Sequence, residues 1–331
     1  MRDQYGREID YLRISITDRC NLRCRYCMPQ GVDLVSHADI LSYEEILRVA
    51  QVAARLGIRK IRVTGGEPLV RKNVSALIAR LKAIPGIEKV ALTTNGLLLA
   101  EQLPDLLQAG LDQVNISLDT TDEEEYRRIT GFPGAQRVLQ ALREAVKTSL
   151  VTKVNSVYAD DWENLVRLAE EMPVDVRFIE MMPIGYGARE SGRSNQELLA
   201  AMLEKYPDLT RTDRVCTESV GDRQTVADGP AVCYQSESLR GRIGLISPLS
   251  AAFCKQCNRI RLTSRGFLKS CLCYDQGEDL MPALRGGLNG EAAAEELERR
   301  LRKAILEKPM AHCFRDPESV SEEQEMFRIG G

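Results

Sequence analysis

Apolar and polar residues alternate over six short runs in the first 180 positions, at 12–17, 60–64, 89–94, 113–118, 152–158 and 175–180. A period of two predicts strands. Between the runs, apolar residues recur at helical spacing behind recognisable start signals. Ser42 and Glu45 form a capping-box pair ahead of Ile46, Val49, Ala50, Ala53 and Leu56, and Gly57 stops that helix. Thr121 and Glu124 repeat the device, while 135–147 and 160–171 carry further helical stripes. Strand–helix alternation of this kind implies parallel pairing with right-handed crossovers.

Parity within the strands goes further. Leu12, Ile14 and Ile16 share one face, with Arg13, Ser15 and Thr17 on the other. Ile61 and Val63 oppose Arg62 and Thr64; Leu92 opposes Thr93 and Asn95. Val114, Ile116 and Leu118 oppose Asn115, Ser117 and Asp119, and Val154 opposes Lys153 and Asn155. A flat sheet covered by helices on both sides needs strands apolar on both faces. Six strands with one polar face instead predict an α/β fold, an incomplete (βα)6 TIM-like barrel around a wet lumen, with its working end at the C-terminal strand ends. Arg13, Arg62 and Lys153 would then stand inside it. Buried cations need counter-charges, which either an anionic ligand or the carboxylates Glu67, Asp119 and Glu180 would supply.

Length and charge narrow the class. The 331 residues exceed the roughly 250–300 at which one core stops growing, so a main domain and a smaller one are expected. Residues 1–10 are charged, and no run approaches the ~18 apolar residues of a membrane span, which predicts a cytoplasmic protein without membrane contact. A formal net charge of −3 argues against a nucleic-acid binder. Ten Cys and only two His point to metal or redox chemistry at sulfur, rather than to bridges or a histidine centre.

Cys20, Cys24 and Cys27 fall within eight residues directly after the first strand. Thiolates are the ligands of iron–sulfur clusters, and three of them leave one iron of a [4Fe-4S] cube open to an exogenous molecule. Structural zinc takes four ligands in separated pairs, a poorer match here. Thr64-Gly65-Gly66-Glu67-Pro68 ends the second strand, where paired glycines let the backbone approach a ligand. Neither a Walker A loop nor Gly-x-Gly-x-x-Gly occurs. Past a Gly-rich, charged stretch at 181–195 and a helical stretch at 195–205, strands are expected at 231–234 and 242–246. A second sulfur set then appears, Cys254 and Cys257 followed by Cys271, with Cys273 two residues on. Its spacing suits iron or a zinc ribbon. Arg259 and Arg261 share one strand face, an arrangement that suits a phosphate chain. An amphipathic helix at 291–306 precedes the C-terminal Gly330-Gly331.

Together these stretches resemble one family. The Cys-x3-Cys-x2-Cys loop, with Tyr26 before its last Cys, and the Gly-Gly-Glu-Pro turn are similar to the signatures of radical S-adenosylmethionine (SAM) enzymes. The second Cys set, Arg259-x-Arg261 and the Gly-Gly end resemble those of the GTP 3',8-cyclases of molybdenum cofactor biosynthesis. Leu92-Thr93-Thr94-Asn95-Gly96, Asn115-Ile116-Ser117-Leu118-Asp119 and Arg177-Phe178-Ile179-Glu180 carry the resemblance further.

The resemblance implies a radical SAM barrel over 1–185 and a C-terminal α+β domain over 186–331. Cys20, Cys24 and Cys27 would hold a [4Fe-4S] cluster, with Tyr26, Gly66, Ser117 and Met182 around SAM. Cys254, Cys257 and Cys271 would hold a second [4Fe-4S] cluster, with Cys273 an additional thiol beside them. Arg13, Arg62, Thr93, Lys153, Arg259, Ile260 and Arg261 would bind GTP, and Gly330 and Gly331 would reach the site. In the implied reaction a 5'-deoxyadenosyl radical takes the ribose 3' hydrogen. The carbon radical then attacks guanine C8, giving (8S)-3',8-cyclo-7,8-dihydroguanosine 5'-triphosphate. Implied partners are GTP, a reductant of flavodoxin or ferredoxin type, and a downstream cyclic pyranopterin monophosphate synthase, with the chain as monomer or homodimer. A peptide-modifying radical SAM maturase and a zinc-binding scaffold are the alternatives.

Overall fold

Each alternating run becomes a strand whose apolar side faces helices. The computed structural model describes residues 1–157, 160–190, 192–212, 229–288 and 290–330. Strands β1 (Tyr11–Ser15), β2 (Lys60–Thr64), β3 (Lys89–Thr94), β4 (Gln113–Ser117), β5 (Val151–Ser156) and β6 (Asp175–Ile179) pair parallel in sequence order. Helices α1 (Tyr43–Arg55), α2 (Val74–Lys82), α3 (Leu99–Gln108), α4 (Glu123–Thr130), α5 (Ala135–Ala145) and α6 (Trp162–Glu171) connect them. Leu12, Ile14, Ile61, Val63, Leu92, Val114, Ile116 and Val154 are fully buried in one core with Ile46, Val49, Ala50 and Ala53 of α1 and the matching stripes of the other helices. The polar parity is left to the opposite side of the sheet.

One start signal shifts. Asp122, not Thr121, caps α4 and accepts from Glu125 N–H. Asp161 has already taken the N–H and hydroxyl of Thr121, so the cap moves one residue on.

The C-terminal third does not stand apart. It supplies α7 (Asn195–Lys205), β7 (Thr210–Arg211), β8 (Val232–Gln235), β9 (Arg242–Ile246), β10 (Arg259–Leu262), β11 (Phe267–Lys269), β12 (Gly277–Asp279), α8 (Met281–Arg285) and α9 (Gly290–Leu306). β9 joins β6 in parallel and β10 joins β1 in parallel. β8 and β7 extend one flank antiparallel, and β11 and β12 the other. Among the described residues all twelve strands form one open sheet, in the order β12-β11-β10-β1-β2-β3-β4-β5-β6-β9-β8-β7. The lumen of the expected partial barrel is therefore widened on both sides by chain from the last third. Its C-terminal mouth lies where β1 to β6 end, and its N-terminal mouth where they begin.

A single carboxylate ties the first helix to this added flank. Glu45 completes the capping box with Ser42 and takes Arg285 of α8 on both oxygens, at 2.6 and 2.9 Å. Arg285 also donates to the Ala38 and Ile40 carbonyls. The hydrogen bond from Arg285 holds the Glu45 carboxyl below its ordinary 4.5. A depressed carboxylate stabilises the fold above its unfolded pKa, and that contribution is lost as pH falls through the depressed value. Glu45→Ala should cost about 1–2 kcal/mol at neutral pH, read as a lower calorimetric melting temperature. The gap from the parent should shrink below about pH 4, and a gap that stayed constant in acid would contradict the ion pair's part in it.

Candidate active site

One cavity of about 180 Å³ occupies the polar side of the sheet, room for a ligand rather than for one trapped water. Its walls are strand faces: Tyr11 and Arg13 of β1, Arg62 of β2, Thr93 of β3, Asn115 of β4, Asn155 of β5, Arg177 of β6, and Arg259 and Arg261 of β10. With Lys308 the described residues of the lining include six cations and neither Asp nor Glu. The carboxylates offered as internal counter-charges are engaged elsewhere. Glu67 accepts from Leu69 N–H, Thr94 Oγ1 and Asn95 N–H. Glu180 accepts from the N–H groups of Asn195, Leu249 and Ser250. Asp119 accepts from the Tyr26 and Ser156 hydroxyls and Val157 N–H.

The cations crowd one another. Arg13 stands in register between Arg261 and Arg62. Burial, and then Arg261, holds the Arg13 guanidinium below its ordinary pKa; burial with Arg259 brings Arg261 down to about 10. Tyr11 senses the same field. Burial alone would raise its phenol, but Arg62, Lys60 and Arg13 outweigh burial and hold it at about 7. Arg62 is fixed by the Tyr11 hydroxyl, Leu92 O and Thr93 Oγ1. Arg259 Nε is buried without a hydrogen-bond partner among the described residues. Such a wall is built for an anion.

The first thiol triplet stands at the C-terminal mouth, on the loop that leaves β1. Arg23 and Arg25 N–H donate to the Thr130 and Ile129 carbonyls at the end of α4, and Cys27 and Met28 N–H return to Cys24 O to close a turn. Gly66 N–H donates to Thr17 O and Glu67 N–H to Arg19 O. A Cβ on Gly66 would lie 2.5 Å from Arg19 O, so only glycine lets the two loops meet. Burial raises all three thiols. It takes Cys20 to about 11 with help from Glu67, and Cys27 to about 12 with help from Cys20. Thiolates crowded there require positive charge among them, which an iron centre carries. Tyr26 donates to Asp119 Oδ2 at 2.8 Å, and Ser117 ends β4 beside this loop. Tyr26, Gly66 and Ser117 do not line the cavity, whereas Met182 does. Gly187 packs against the Met182 carbonyl and near that of Tyr26, and Arg25 pairs with Glu190 at 2.9 Å, so the 181–190 segment lies over the first triplet's loop.

The second triplet stands at the other mouth. Cys254 and Cys257 precede β10, which runs parallel to β1, and Cys271 follows β11, which runs antiparallel to β10. All three line the cavity. Burial would raise the Cys257 thiol, but Lys308 and Arg259 outweigh it and hold it at about 7, while burial keeps Cys271 raised. Cys273 does not line the cavity; it is fully buried, with its Sγ 2.6 Å from Cys313 Sγ. Cys233 is disulfide-bonded, which corrects the expectation that the cysteines avoid bridges. Cys216 lies outside the described residues. Among the described residues no three His, Cys, Asp or Glu side chains converge as ligands of one metal ion. In an iron–sulfur cube each thiolate bonds a different iron, so its sulfurs stand wider apart than those around a single zinc.

The chain's end returns to the C-terminal mouth. Ile329 and Gly330 are buried, and Arg261 Nη1 donates to Gly330 O at 2.8 Å. Gly330 has φ +76°, and a Cβ there would come within 3.2 Å of Ser15 and Thr64 at the ends of β1 and β2. Gly331 lies outside the described residues. Two expected site residues stand back from the cavity. Lys153 is buried on β5 but is not in the wall, and the Ile260 side chain alternates outward into the core, leaving only its main chain for a ligand. Sequence reading passed over Arg177 and Lys308. Alternation along β6 from Asp175 puts Arg177 on the lumen side, a signal that was there to use; Lys308 follows the end of α9 with no periodicity to mark it.

Two family models match this chain, Radical SAM superfamily over residues 14–169 and Molybdenum Cofactor Synthesis C over residues 174–314. Its fold is similar to that of Streptococcus suis SuiB bound to S-adenosylmethionine, with a TM-score of 0.62 at 13% identity over 97% of this chain and 78% of that one. GTP 3',8-cyclase of Clostridium perfringens strain 13 is 41% identical over the whole of both chains. GTP 3',8-cyclase of Moorella thermoacetica is 44% identical over 97% of this chain and 99% of that one. With identity of this level sustained from end to end, and with a radical SAM half followed by a molybdenum cofactor synthesis half, the chain belongs to the GTP 3',8-cyclase family of radical SAM enzymes.

Proposed function

We propose that this chain converts GTP to (8S)-3',8-cyclo-7,8-dihydroguanosine 5'-triphosphate, the first step of molybdenum cofactor biosynthesis and the reaction for which its relatives are named. The observation that carries this reading is the cavity wall, among the described residues six cations without a carboxylate, between two thiol triplets. A triphosphate supplies the negative charge the wall lacks. Arg13, Arg62, Arg259 and Arg261 hold its oxygens, with Arg62 oriented by Tyr11 and Thr93, and adjacent guanidiniums grip phosphate in pairs. Lys153 adds positive potential from beneath, and Ile260 offers its main chain.

Cys20, Cys24 and Cys27 hold one [4Fe-4S] cluster; Tyr26, Gly66, Ser117 and Met182 surround SAM, Gly66 through its backbone. Cys254, Cys257 and Cys271 hold the second cluster, against the part of the cavity that takes guanine. When bound, cluster and SAM supply the electron and the radical that takes the ribose 3' hydrogen. The chain's own work is to fix the ribose between the two mouths and to exclude water. The triphosphate is pinned by the arginine wall, and the tail at Gly330, held by Arg261, closes the C-terminal mouth. The chain divides at about residue 185, with 1–185 holding SAM and part of the GTP wall and 186–331 supplying the second triplet, the rest of that wall and the tail, although their strands share one sheet. The electron comes from a flavodoxin- or ferredoxin-type carrier, and the product passes to cyclic pyranopterin monophosphate synthase in the cytoplasm. No helix among the described residues is long and apolar enough to cross a membrane.

Cys20→Ser should abolish 5'-deoxyadenosine formation and remove about half the iron of the reconstituted protein; sustained SAM cleavage would contradict the first triplet's role. Arg259→Ala should raise the GTP dissociation constant at least about tenfold, a loss of about 1.4 kcal/mol, in anaerobic equilibrium dialysis while uncoupled SAM cleavage continues. Unchanged GTP affinity would refute the arginine wall. Gly330→Val should depress cyclisation with both clusters still loaded, since a side chain there meets Ser15 and Thr64, and full turnover would discard the tail's part.

A further inference from the structure

The N-terminal residues make a contact that none of the roles above uses. Arg7 is buried, and all five of its guanidinium N–H donors have acceptors. Nε donates to Asp3 Oδ2, Nη1 to the Cys254 and Met310 carbonyls at 2.9 and 3.1 Å, and Nη2 to the Lys308 and Pro309 carbonyls at 3.4 and 2.7 Å. Asp3 also accepts from Arg7 N–H and Tyr5 N–H, so the short Asp3–Arg7 loop braces itself. One guanidinium thus joins the backbone at Cys254, the first residue of the second triplet, to the segment at 308–310.

That segment reaches back into the same triplet. Lys308 is buried, and its ammonium donates to Arg259 O at 2.9 Å and to Ser270 O. Arg259 lies two residues beyond Cys257, and Ser270 immediately precedes Cys271. The ammonium therefore sits beside both thiols, and its charge favours Cys257 as the thiolate. Its hydrogen-bond acceptors are neutral carbonyls. A buried ammonium with neutral acceptors is costly, and the partner that balances it is sulfur carrying negative charge. The groups around it are the thiols Cys257 and Cys271, the cation Arg259 and the two carbonyls.

We propose that Asp3, Arg7 and Lys308 form a strut that positions the second thiol triplet, and that the Lys308 ammonium is the fixed cation that raises the reduction potential of the cluster held there. The inference rests on the reading that Cys254, Cys257 and Cys271 carry iron–sulfur. Arg7 and Lys308 act through those thiols and are positioning residues. Net charge and hydrogen bonds to sulfur are the levers that set such potentials, and a fixed cation favours the more negative, reduced state. Arg7 donates to five acceptors spread over three segments, at Asp3, at Cys254 and at 308–310, a geometry that the three donors of a lysine ammonium cannot reproduce.

The test uses full-length chain in which Cys20, Cys24 and Cys27 are all replaced by Ser, so that only the second triplet takes up iron. After anaerobic reconstitution, iron and sulfide per chain are measured and the cluster is titrated under electron paramagnetic resonance. Lys308→Met should retain the cluster and make its reduction about tenfold less favourable, 59 mV more negative for one electron. Lys308→Arg should recover most of that shift. Arg7→Met should lower cluster occupancy several-fold, and Arg7→Lys should restore it only in part. A Lys308→Met cluster with the parent's potential, or Arg7 variants that load as the parent does, would overturn the strut. A parent chain that takes up no iron would overturn the cluster reading beneath it, a separate and recognisable result. Should Lys308→Met fail to fold by circular dichroism, Lys308→Gln reads the same potential in its place.

Discussion

Positive charge crowded inside the sheet is the constraint on which the rest of this molecule depends. Arg13, Arg62, Arg177, Arg259, Arg261 and Lys308 line one cavity in which, among the described residues, no carboxylate stands. Removing such charges from water is expensive, and a fold keeps them only where a counter-charge is supplied. Arg261 depresses Arg13, Arg259 depresses Arg261, and a tyrosine phenol is drawn down to about 7, so positive potential dominates this wall. The cavity is preorganised for an anion, and the bonds fixing Arg62 to Tyr11 and Thr93 show side chains already set in place.

The two mouths of the lumen differ because different strands frame them. The first triplet hangs from the end of β1 among buried, mutually repelling thiols, beside Glu67 and Asp119. The second is brought in by β10 and β11, where Lys308 and Arg259 favour sulfur in its negative form. Parallel pairing of β10 with β1 makes this possible. It places thiols that precede β10 at the opposite end of the lumen from thiols that follow β1, with the arginine wall between them.

Much of this was legible in the sequence because strand parity is a local signal. Leu12, Ile14 and Ile16 against Arg13, Ser15 and Thr17 show which side is wet, and the capping box at Ser42 and Glu45 forms as its residues predict. What stayed hidden was long-range. Nothing in the alternation of 242–246 or 259–262 says that these strands flank β6 and β1, because strand order is decided by packing of the whole chain. For the same reason Ile260 was grouped with its arginine neighbours although period two turns it into the core. The Arg7 contact to Cys254 spans 247 positions and carries no sequence signature. The cap at Asp122 was missed for a smaller reason, since Asp161 competes for Thr121 from another loop.

The most direct measurement of the central claim is anaerobic equilibrium dialysis of the reconstituted protein against GTP and, separately, against guanosine. Both ligands offer the same base and ribose, and only one brings the negative charge that the arginine wall lacks. The account predicts that GTP binds at least about a hundredfold more tightly, roughly 2.7 kcal/mol. Equal affinities for the two would contradict it.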